Sequence, residues 1–306
     1  METLLEAIKE RTLLSDGAMG TQLQAAGLKR GRCGELWNLE HPDKVLAIQE
    51  AYVDAGSDCL ITNTFGGCRI MLERHGLGDR VEEVNHAAVE IARQAFRGRP
   101  GYVLGDIGPF GGLMEPFGDI SPASVCAAFT EQAKALVAGG VDAIILETQT
   151  FLEELAVGLE AAREVGAPCV IGSVAFEVTF DGSDVRTVMG ANPERVAAFL
   201  QGGGAHVAAL NCGTDVDMTC AARILQRYRQ ACDLPMMAQP NAGSPVLEGT
   251  RAIYKKSPEE MAAGIPDLLV AGAQIIGGCC GSTPDHIRCF RQIIDEWNSR
   301  GERKTG

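Results

Sequence analysis

Positive charge and aromatic side chains are both scarce in this sequence. Its 306 residues include 27 lysines and arginines against 40 aspartates and glutamates, which gives a formal net charge of −13. A surface this acidic repels phosphate backbones, so nucleic acid is not expected as a partner. Aromatic residues make up only 5% of the chain, with two tryptophans, Trp37 and Trp297. Such a composition leaves little material for an aromatic cage around a quaternary ammonium group.

Long apolar runs are also missing. No uncharged apolar stretch approaches the ~18 residues that a membrane span requires, so no membrane association is expected. The first residues, Met1-Glu2-Thr3, lack the basic and apolar regions of a signal peptide. Cysteine, in contrast, is abundant, and an odd count of 11 fits a reducing compartment in which the thiols persist. We therefore expect a cytoplasmic protein.

A short apolar run followed by a helical segment repeats eight times along the chain. The runs are rich in Ile, Val and Leu and rarely alternate with polar residues, as is typical of parallel strands buried on both faces. Proline after a capping residue, as in Ser121-Pro122 and Thr283-Pro284, marks helix starts. The pattern, with an N-terminal helix over roughly residues 2–10, predicts an α/β fold: a single (β/α)8 TIM barrel over residues 1–306. The eight runs are Thr12–Ser15, Cys59–Thr62, Tyr102–Leu104, Ala143–Leu146, Cys169–Val174, His206–Leu210, Pro235–Ala238 and Gln274–Ile276.

Three cysteines follow the predicted strands of this barrel, at the end where such folds place their active sites. Cys212 comes after the sixth run, and the adjacent Cys279 and Cys280 come after the eighth. The two strands are two places apart, so their ends can face one pocket, and the flanking glycines allow both neighbouring sulfurs to turn inward. Three thiolates suit tetrahedral zinc with an open fourth position. The alternatives are two core cysteines beside a lone third, or a vicinal disulfide that acts as a redox switch.

Polar residues follow other strands of the barrel. Asp16 and Glu147 end the first and fourth runs, where their carboxylates can bind a cationic group such as the ammonium of an amino acid, although Asp16 could also simply start a turn. The backbone amides of the glycine-containing turn 17–20 could hold a carboxylate. Asn241, after the seventh run, either caps a loop or offers its amide oxygen to the metal.

These residues resemble those of the homocysteine S-methyltransferase family. The resemblance runs from about residue 10 to 295, and within the family it is strongest to the homocysteine-binding barrel of cobalamin-dependent methionine synthase. Gly281 departs from the betaine and S-methylmethionine branches, which usually carry a basic residue at that position. The matching motifs are Asp16–Thr21, Asn63–Phe65, Gly108-Pro109, Glu147-Thr148, Asn211-Cys212, Pro240–Gly243 and Gly277–Pro284.

The resemblance implies roles for individual residues. Cys212, Cys279 and Cys280 would hold a catalytic zinc ion, while Asp16 and Glu147 would bind the amino group of homocysteine. The implied chemistry is methionine formation: zinc favours the thiolate of homocysteine, which then attacks a methyl group. The residue that matches Asn241 is thought to fill the fourth zinc position before the substrate arrives. The expected substrate contacts are Asp16, Gly17, Ala18, Met19, Gly20, Asn63, Glu147 and Asn241.

The methyl donor is the least constrained part of this hypothesis. Few aromatic residues and glycine-rich loops favour methylcobalamin or another methylcorrinoid, carried on a separate corrinoid-binding protein or domain, over S-methylmethionine or betaine. Phe110 departs from the small hydroxyl residue that is common in the methionine synthase branch, which puts the shape of the third loop in question. Methyl transfer to another thiol or selenol is an alternative. A zinc- or thiol-sensing barrel is a non-enzymatic one, although a sensor would not need Asp16 and Glu147.

Overall fold

The computed structural model describes residues 2–248 and 251–301, and it confirms the predicted (β/α)8 barrel. Eight parallel strands form one sheet in the order β1-β8-β7-β6-β5-β4-β3-β2. Met1 and residues 302–306, which the predicted domain includes, lie outside the described residues. The strands are β1 (Leu13–Leu14), β2 (Cys59–Ile61), β3 (Tyr102–Ile107), β4 (Ala143–Gln149), β5 (Val170–Val174), β6 (Val207–Asn211), β7 (Met236–Gln239) and β8 (Ala273–Ile276).

Helices connect the strands and cover the outside of the sheet. Several begin as the sequence predicts, with proline in the first turn and a capping side chain before it. None of the described helices combines the length and apolarity needed to cross a membrane. The α-helices are Leu4–Glu10, Gly20–Ala25, Trp37–Glu40, Pro42–Asp54, Arg69–Glu73, Val81–Ala95, Pro122–Gly139, Leu152–Glu164, Pro193–Gly202, Met218–Arg229, Pro258–Ala262, Ile265–Val270 and Pro284–Arg300, with a 3-10 helix at Gly78–Arg80.

The lower part of the barrel interior is a closed apolar core. Alternate residues of all eight strands point inward and form one cluster of buried side chains, among them Leu13, Leu104 and Ile145. The helix Leu4–Glu10 seals the amino-terminal end of the strands, because its buried residues join the same cluster. We call this set of side chains the lumen cluster. It fills the interior below the site, so a ligand can enter only from the carboxyl ends of the strands.

β3 and β4 each extend three residues further than the sequence predicts. β3 continues to Ile107 and β4 to Gln149, so Asp106 and Glu147 belong to strands and not to the loops after them. Side chains alternate between the two faces of a strand. Because Leu104 and Ile145 belong to the lumen cluster, Asp106 and Glu147 two residues later are also on the inner face.

The barrel is closed between β1 and β2 by side chains of aspartate. These strands are the two ends of the sheet order, and β1 has only two residues. Asp58 donates its amide to the Leu14 carbonyl at 2.7 Å and accepts the Leu14 amide on Oδ2 at 2.8 Å. Asp16 Oδ2 accepts the amide of Ile61 at 2.8 Å. Asp16 therefore joins the two strands as well as lying at the site.

Two short antiparallel hairpins, which the sequence analysis did not predict, extend the loops after β5 and β7. The first pairs Glu177–Val178 with Val185–Arg186, and the second pairs Val246–Glu248 with Arg251–Ile253. Asp181-Gly182 between the strands of the first hairpin is a turn signal that could have identified it. Both hairpins lie beside the carboxyl ends of the barrel strands, which we call the mouth.

Candidate metal centre and substrate pocket

The structure brings the sulfurs of Cys212, Cys279 and Cys280 together at the mouth. All three lie within 4.8 Å of one another, the only such group of potential metal-binding side chains in the described part of the chain. Cys212 and Cys280 are 3.9 Å apart, Sγ to Sγ. All three cysteines are half-buried free thiols. Such a cluster has the donor set of a structural or catalytic zinc site.

Glycine makes this convergence possible. A Cβ at Gly277 would lie 2.8 Å from the carbonyl oxygen of Asp16, and one at Gly278 would lie 2.4 Å from Ser282 Oγ. The strand end that carries Cys279 and Cys280 thus packs against the turn after β1 at a distance that only glycine allows. Gly281 adopts a positive φ of 82°, which turns the chain directly after the cysteine pair.

Two residues without this freedom adopt the same left-handed conformation beside the site. Cys212 and Thr148 both have φ of 55°, a region that costs energy for residues other than glycine. Asn211, which directly precedes Cys212, hydrogen-bonds to Thr148 and so fixes the backbone at both positions. Its Oδ1 accepts the amide of Thr148 at 3.0 Å, and its Nδ2 donates to Thr148 Oγ1 at 2.8 Å and to Cys279 Sγ at 3.8 Å. One buried amide therefore links the ends of β4, β6 and β8.

The three sulfurs share negative charge unequally. The hydrogen bond from Cys279, and to a lesser extent the one from Cys280, holds the pKa of Cys212 far below its ordinary value. The same bonds to Cys212 raise the pKa of Cys279 and of Cys280. Without a cation the cluster therefore favours one thiolate and two thiols. The Tyr254 side chain is hydrogen-bonded to Cys280 and offsets only a small part of the rise in its pKa.

Three carboxyl groups lie at the carboxyl ends of β1, β3 and β4, and the charge of Cys212 acts on one of them, Glu147. Asp16 is 2% and Asp106 is 3% exposed, while Glu147 is partly buried. Burial raises the pKa of Asp16 to about 7, and burial with the charges of Cys212 and Asp16 raises that of Glu147 to about 8. We call Asp16, Asp106 and Glu147 the acidic pocket. Groups of this kind, packed together without a cation, favour their neutral forms.

The turn that follows β1 is held rigidly against the cysteine loop. Ser282 Oγ accepts the amide of Ala18 at 3.1 Å and donates to the Cys279 carbonyl at 2.7 Å. Tyr52 donates its hydroxyl to the Ala18 carbonyl at 2.8 Å. Because the Ala18 amide is occupied, a ligand carboxylate at this turn would depend on the remaining amides. The buried Thr21 Oγ1, which has no partner, is a further donor there.

Two predicted contact residues also have partners outside the acidic pocket. The amide nitrogen of Asn63 donates to the Gly34 carbonyl and to Asn38 Oδ1, both at 2.9 Å. These bonds anchor the loop after β2, and a substrate contact by Asn63 stays a prediction. The partly buried side chain of Met19 packs on the apolar cluster around Leu23 and Trp37. Its contact with the substrate likewise stays a prediction.

Asn241 is the remaining predicted contact. Its Nδ2 donates to the Gly213 carbonyl at 3.1 Å, which fixes the side chain against the loop that carries Cys212. Its Oδ1 is buried and has no hydrogen-bond partner. An acceptor oxygen left in this way needs a donor or a cation. The amide of Asn241 thus combines a structural contact with an available ligand atom.

Sequence reasoning missed some residues at this site. Asp106, Asn211 and Ser282 stand in motifs that follow the predicted strands, yet their spacing gave no indication of what each side chain contacts. Tyr254 had no sequence signal, because it follows an unpredicted hairpin. Phe110 is fully buried between the sheet and the helices, and its amide donates to Glu154 Oε1 at 2.8 Å. Its departure from the family pattern therefore alters the core below the third loop.

The model of the family described as homocysteine S-methyltransferase matches residues 13–294. The chain belongs to the homocysteine S-methyltransferase family. The matched range includes the cysteine cluster and the acidic pocket, so the site described above lies within the family's methyltransferase domain.

Relatives of this homocysteine S-methyltransferase domain include much longer proteins. Methionine synthase of Mycobacterium tuberculosis is 34% identical over 299 residues, which cover 93% of this chain and 25% of that protein. Methionine synthase of Mycobacterium leprae is 33% identical over 318 residues, which cover 98% of this chain and 26% of that protein. The chain thus spans about a quarter of the length of these curated relatives.

Solved structures agree with the fold of this chain. The metallated form of the homocysteine methyltransferase MmuM from Escherichia coli superimposes with a TM-score of 0.76 at 23% identity, over 93% of this chain and 97% of that one. The carboxyl transferase domain of Rhizobium etli pyruvate carboxylase with pyruvate gives a TM-score of 0.53 at 16% identity, over 97% of this chain and 49% of that one. At these identities the likeness concerns the barrel alone.

Proposed function

We propose that this chain, over residues 1–306, is the homocysteine-binding barrel of a zinc-dependent methyltransferase that forms methionine, as in methionine synthase. The observation that carries the proposal is the proximity of the cysteine cluster to the acidic pocket in one mouth. Homocysteine has a thiol at one end and an ammonium group near the other. A site with a thiolate-binding metal beside buried carboxylates is complementary to both ends.

The residues at the mouth fit a zinc ion. Cys212, Cys279 and Cys280 would hold it, and Asn241 Oδ1, buried without a partner, is available as a fourth ligand before the substrate binds. Three neighbouring thiols can all ionise only if a cation compensates their negative charge. When bound, zinc supplies a Lewis acid that stabilises the thiolate of homocysteine at neutral pH.

The chain's own side chains orient the substrate. The acidic pocket accepts the ammonium group, while the turn 17–20 and the Thr21 hydroxyl are suited to its carboxylate. The lumen cluster blocks any deeper position, so the sulfur stays at the level of the cysteines. A methyl group must then arrive from the open mouth, in line with the sulfur.

The rim of the mouth supports delivery of the methyl group by a large partner. Among the described residues, every exposed large apolar side chain except Val270 lies on a loop that follows a barrel strand. Exposed apolar patches of this kind favour contact with another protein or domain. We infer a methylcorrinoid such as methylcobalamin, carried by a corrinoid-binding protein or domain, as the donor. The rim residues are Phe65, Leu113, Phe117, Phe180, Val188, Met189 and Val246.

Onium donors such as S-methylmethionine or betaine are the second candidate. Three of the chain's few aromatic side chains, Phe65, Phe117 and Phe180, are exposed at the rim. Phe117 packs edge to face on Phe151, with ring centroids 6.3 Å apart. It thus has an aromatic neighbour already. The rim therefore favours a docking surface over a cage. Methylation of a thiol or selenol without an amino group would leave the acidic pocket without a ligand.

The cytoplasm is the compartment that suits this chemistry. All eleven cysteines are free thiols in the structure, and the proposed site depends on three of them staying reduced.

One anaerobic assay tests the proposal. Zinc-loaded protein would be given homocysteine with free methylcobalamin, S-methylmethionine or betaine, and methionine would be quantified. We expect slow turnover with methylcobalamin, since the free cofactor lacks the docking contacts of its carrier. Brisk turnover with S-methylmethionine or betaine, and none with methylcobalamin, would contradict the donor assignment. Methylation of another thiol in preference to homocysteine would contradict the substrate assignment.

A further inference from the structure

Asp106 stands out among the buried carboxylates because its side chain has an unused oxygen. Asp106 Oδ1 is buried and has no hydrogen-bond partner, and the residue is only 3% exposed. Asp16, in contrast, accepts the Ile61 amide on Oδ2 and the Ser15 hydroxyl on Oδ1. Leaving a buried acceptor unpaired costs free energy unless a ligand completes it.

The backbone of Asp106 is fixed, so the unused oxygen is not the result of a loose strand end. Its backbone amide donates to Thr62 Oγ1 at 3.0 Å, which holds the end of β3 in place. Its carbonyl accepts the Thr64 hydroxyl at 2.7 Å and Gln132 Nε2 at 3.0 Å. The side chain extends to the inner face of the barrel, two residues above Leu104 of the lumen cluster.

The charges around Asp106 call for a cation. Burial first, and then the charges of Glu147, Glu35 and Asp16, raise its pKa well above the ordinary value. Glu35 accepts the Gly66 amide at 2.7 Å and so has a partner within the loop after β2, whereas Asp106 Oδ1 has none. Among the described residues, the carboxyl oxygens of Asp16, Asp106 and Glu147 are not all within 4.8 Å of one another, unlike the three sulfurs. Their spacing therefore suits hydrogen bonds to a polyatomic cation better than direct coordination of a metal ion.

We propose that Asp106 is a third carboxylate of the ammonium pocket and determines selectivity for thiols that carry an α-amino group. An ammonium group has three N–H donors, and the pocket offers three carboxyl groups, one from each of β3, β4 and the turn after β1. This inference rests on the proposed function, and it assigns a role to a residue that the family resemblance does not. Asp106 binds and orients the amino end of the substrate, which lies opposite to the reacting sulfur.

The test compares two ligands in zinc-loaded protein by calorimetric titration. Homocysteine carries the amino group, and its desamino analogue 4-sulfanylbutanoate does not. We expect Asp106→Asn to weaken homocysteine binding by about 10- to 100-fold, the range for a lost charge-assisted hydrogen bond. Affinity for the desamino analogue should change by less than about twofold, which a merely structural role for Asp106 would not allow.

Controls separate this inference from the proposed function. Glu154→Gln neutralises another buried carboxyl group next to the same loop, and it should leave the ratio of the two affinities unchanged. Asp106→Ser provides a second neutral variant if the asparagine disturbs folding, and bound zinc reports the integrity of the mouth in each. An equal loss for both ligands, or no loss for either, would overturn the role of Asp106 alone. Wild-type protein that binds homocysteine no better than the desamino analogue would overturn the proposed function with it.

Discussion

The lower barrel and the mouth are built from the same eight strands, yet they satisfy opposite requirements. Below, the lumen cluster consists of buried apolar residues sealed by the helix Leu4–Glu10. Above, two residues further along β3, β4 and β6, the inward side chains are Asp106, Glu147 and Asn211. Two residues along each of these strands thus separate a closed apolar core from a site with unpaired hydrogen-bond acceptors and clustered ionisable groups.

The lower barrel stabilises the fold, whereas the mouth binds ligands at a cost in stability. Burying apolar side chains in the lumen stabilises the fold directly. Burying carboxyl groups and thiols in the mouth costs stability until a cation or a ligand completes their interactions. Substitutions in the two regions should therefore affect different measurements, and the following predictions test that separation.

The largest effect should come from the cysteine cluster. Cys212→Ser replaces a thiolate by a neutral hydroxyl, so we expect zinc affinity to fall by more than about 100-fold, beyond the range for residues that only support a ligand. Competition with a chromogenic chelator measures it. Cys289→Ser, which alters a half-buried cysteine on the last helix, is the control and should bind zinc normally. Full zinc affinity in Cys212→Ser would remove this residue from the site.

The lower barrel should respond in stability instead. Leu104→Ala leaves a cavity in the lumen cluster, and we expect a loss of about 2–5 kcal/mol in the free energy of unfolding. Urea denaturation measures this loss, and zinc affinity of the folded variant should stay within about twofold of wild type. If zinc binding weakened as much as stability, the two regions would not be separable.

The acidic pocket should affect substrate binding at constant metal content. Asp16→Asn and Glu147→Gln remove charge while keeping the shape of the side chains, so each should weaken homocysteine binding by about 1.5–3 kcal/mol. The asparagine at position 16 can still accept the Ile61 amide, which preserves the closure of β1 on β2. Titration calorimetry with zinc-loaded variants gives the affinities. Unchanged affinity in both variants would limit these carboxylates to a structural role.

The smallest effect should be a pH dependence of stability in the metal-free protein. Folding raises the pKa of Asp16 to about 7 and of Glu147 to about 8, above the values of about 4 in an unfolded chain. Between these limits the folded state binds more protons than the unfolded state, so the free energy of unfolding falls as pH rises from about 4 to 8. Urea denaturation at pH 5.5 and pH 8 should show it. A double variant, Asp16→Asn with Glu147→Gln, should have a flatter dependence, and an identical slope would contradict the assignment.

Much of the fold was predictable because buried parallel strands and capped helices have local signatures. Apolar runs located all eight strands, and the glycines around Cys279 and Cys280 indicated that both sulfurs could turn inward, where they lie within 4.8 Å of Cys212. The ends of strands were less accessible. The predicted third strand ended at Leu104, because the apolar run stops before the charged Asp106. In the structure β3 continues through Asp106 to Ile107.

The side-chain partners at the mouth were beyond what the sequence could predict. Nothing local distinguishes Asn63, which is used to anchor a loop, from Asn241, which keeps a free oxygen. Likewise Asp16 and Asp106 both follow apolar runs, yet only Asp106 has an oxygen without a partner. Such differences depend on which strands become neighbours, and so on contacts between residues far apart in the chain.

If the three sulfurs bind zinc and leave one position for the sulfur of homocysteine, the metal gains a sulfur ligand when the substrate binds. X-ray absorption at the zinc edge measures this, in zinc-loaded protein with and without homocysteine. We predict three sulfur neighbours at about 2.3 Å and one lighter neighbour without substrate, and four sulfur neighbours with it. Fewer than three sulfurs in the free protein, or a count that homocysteine does not change, would contradict the account.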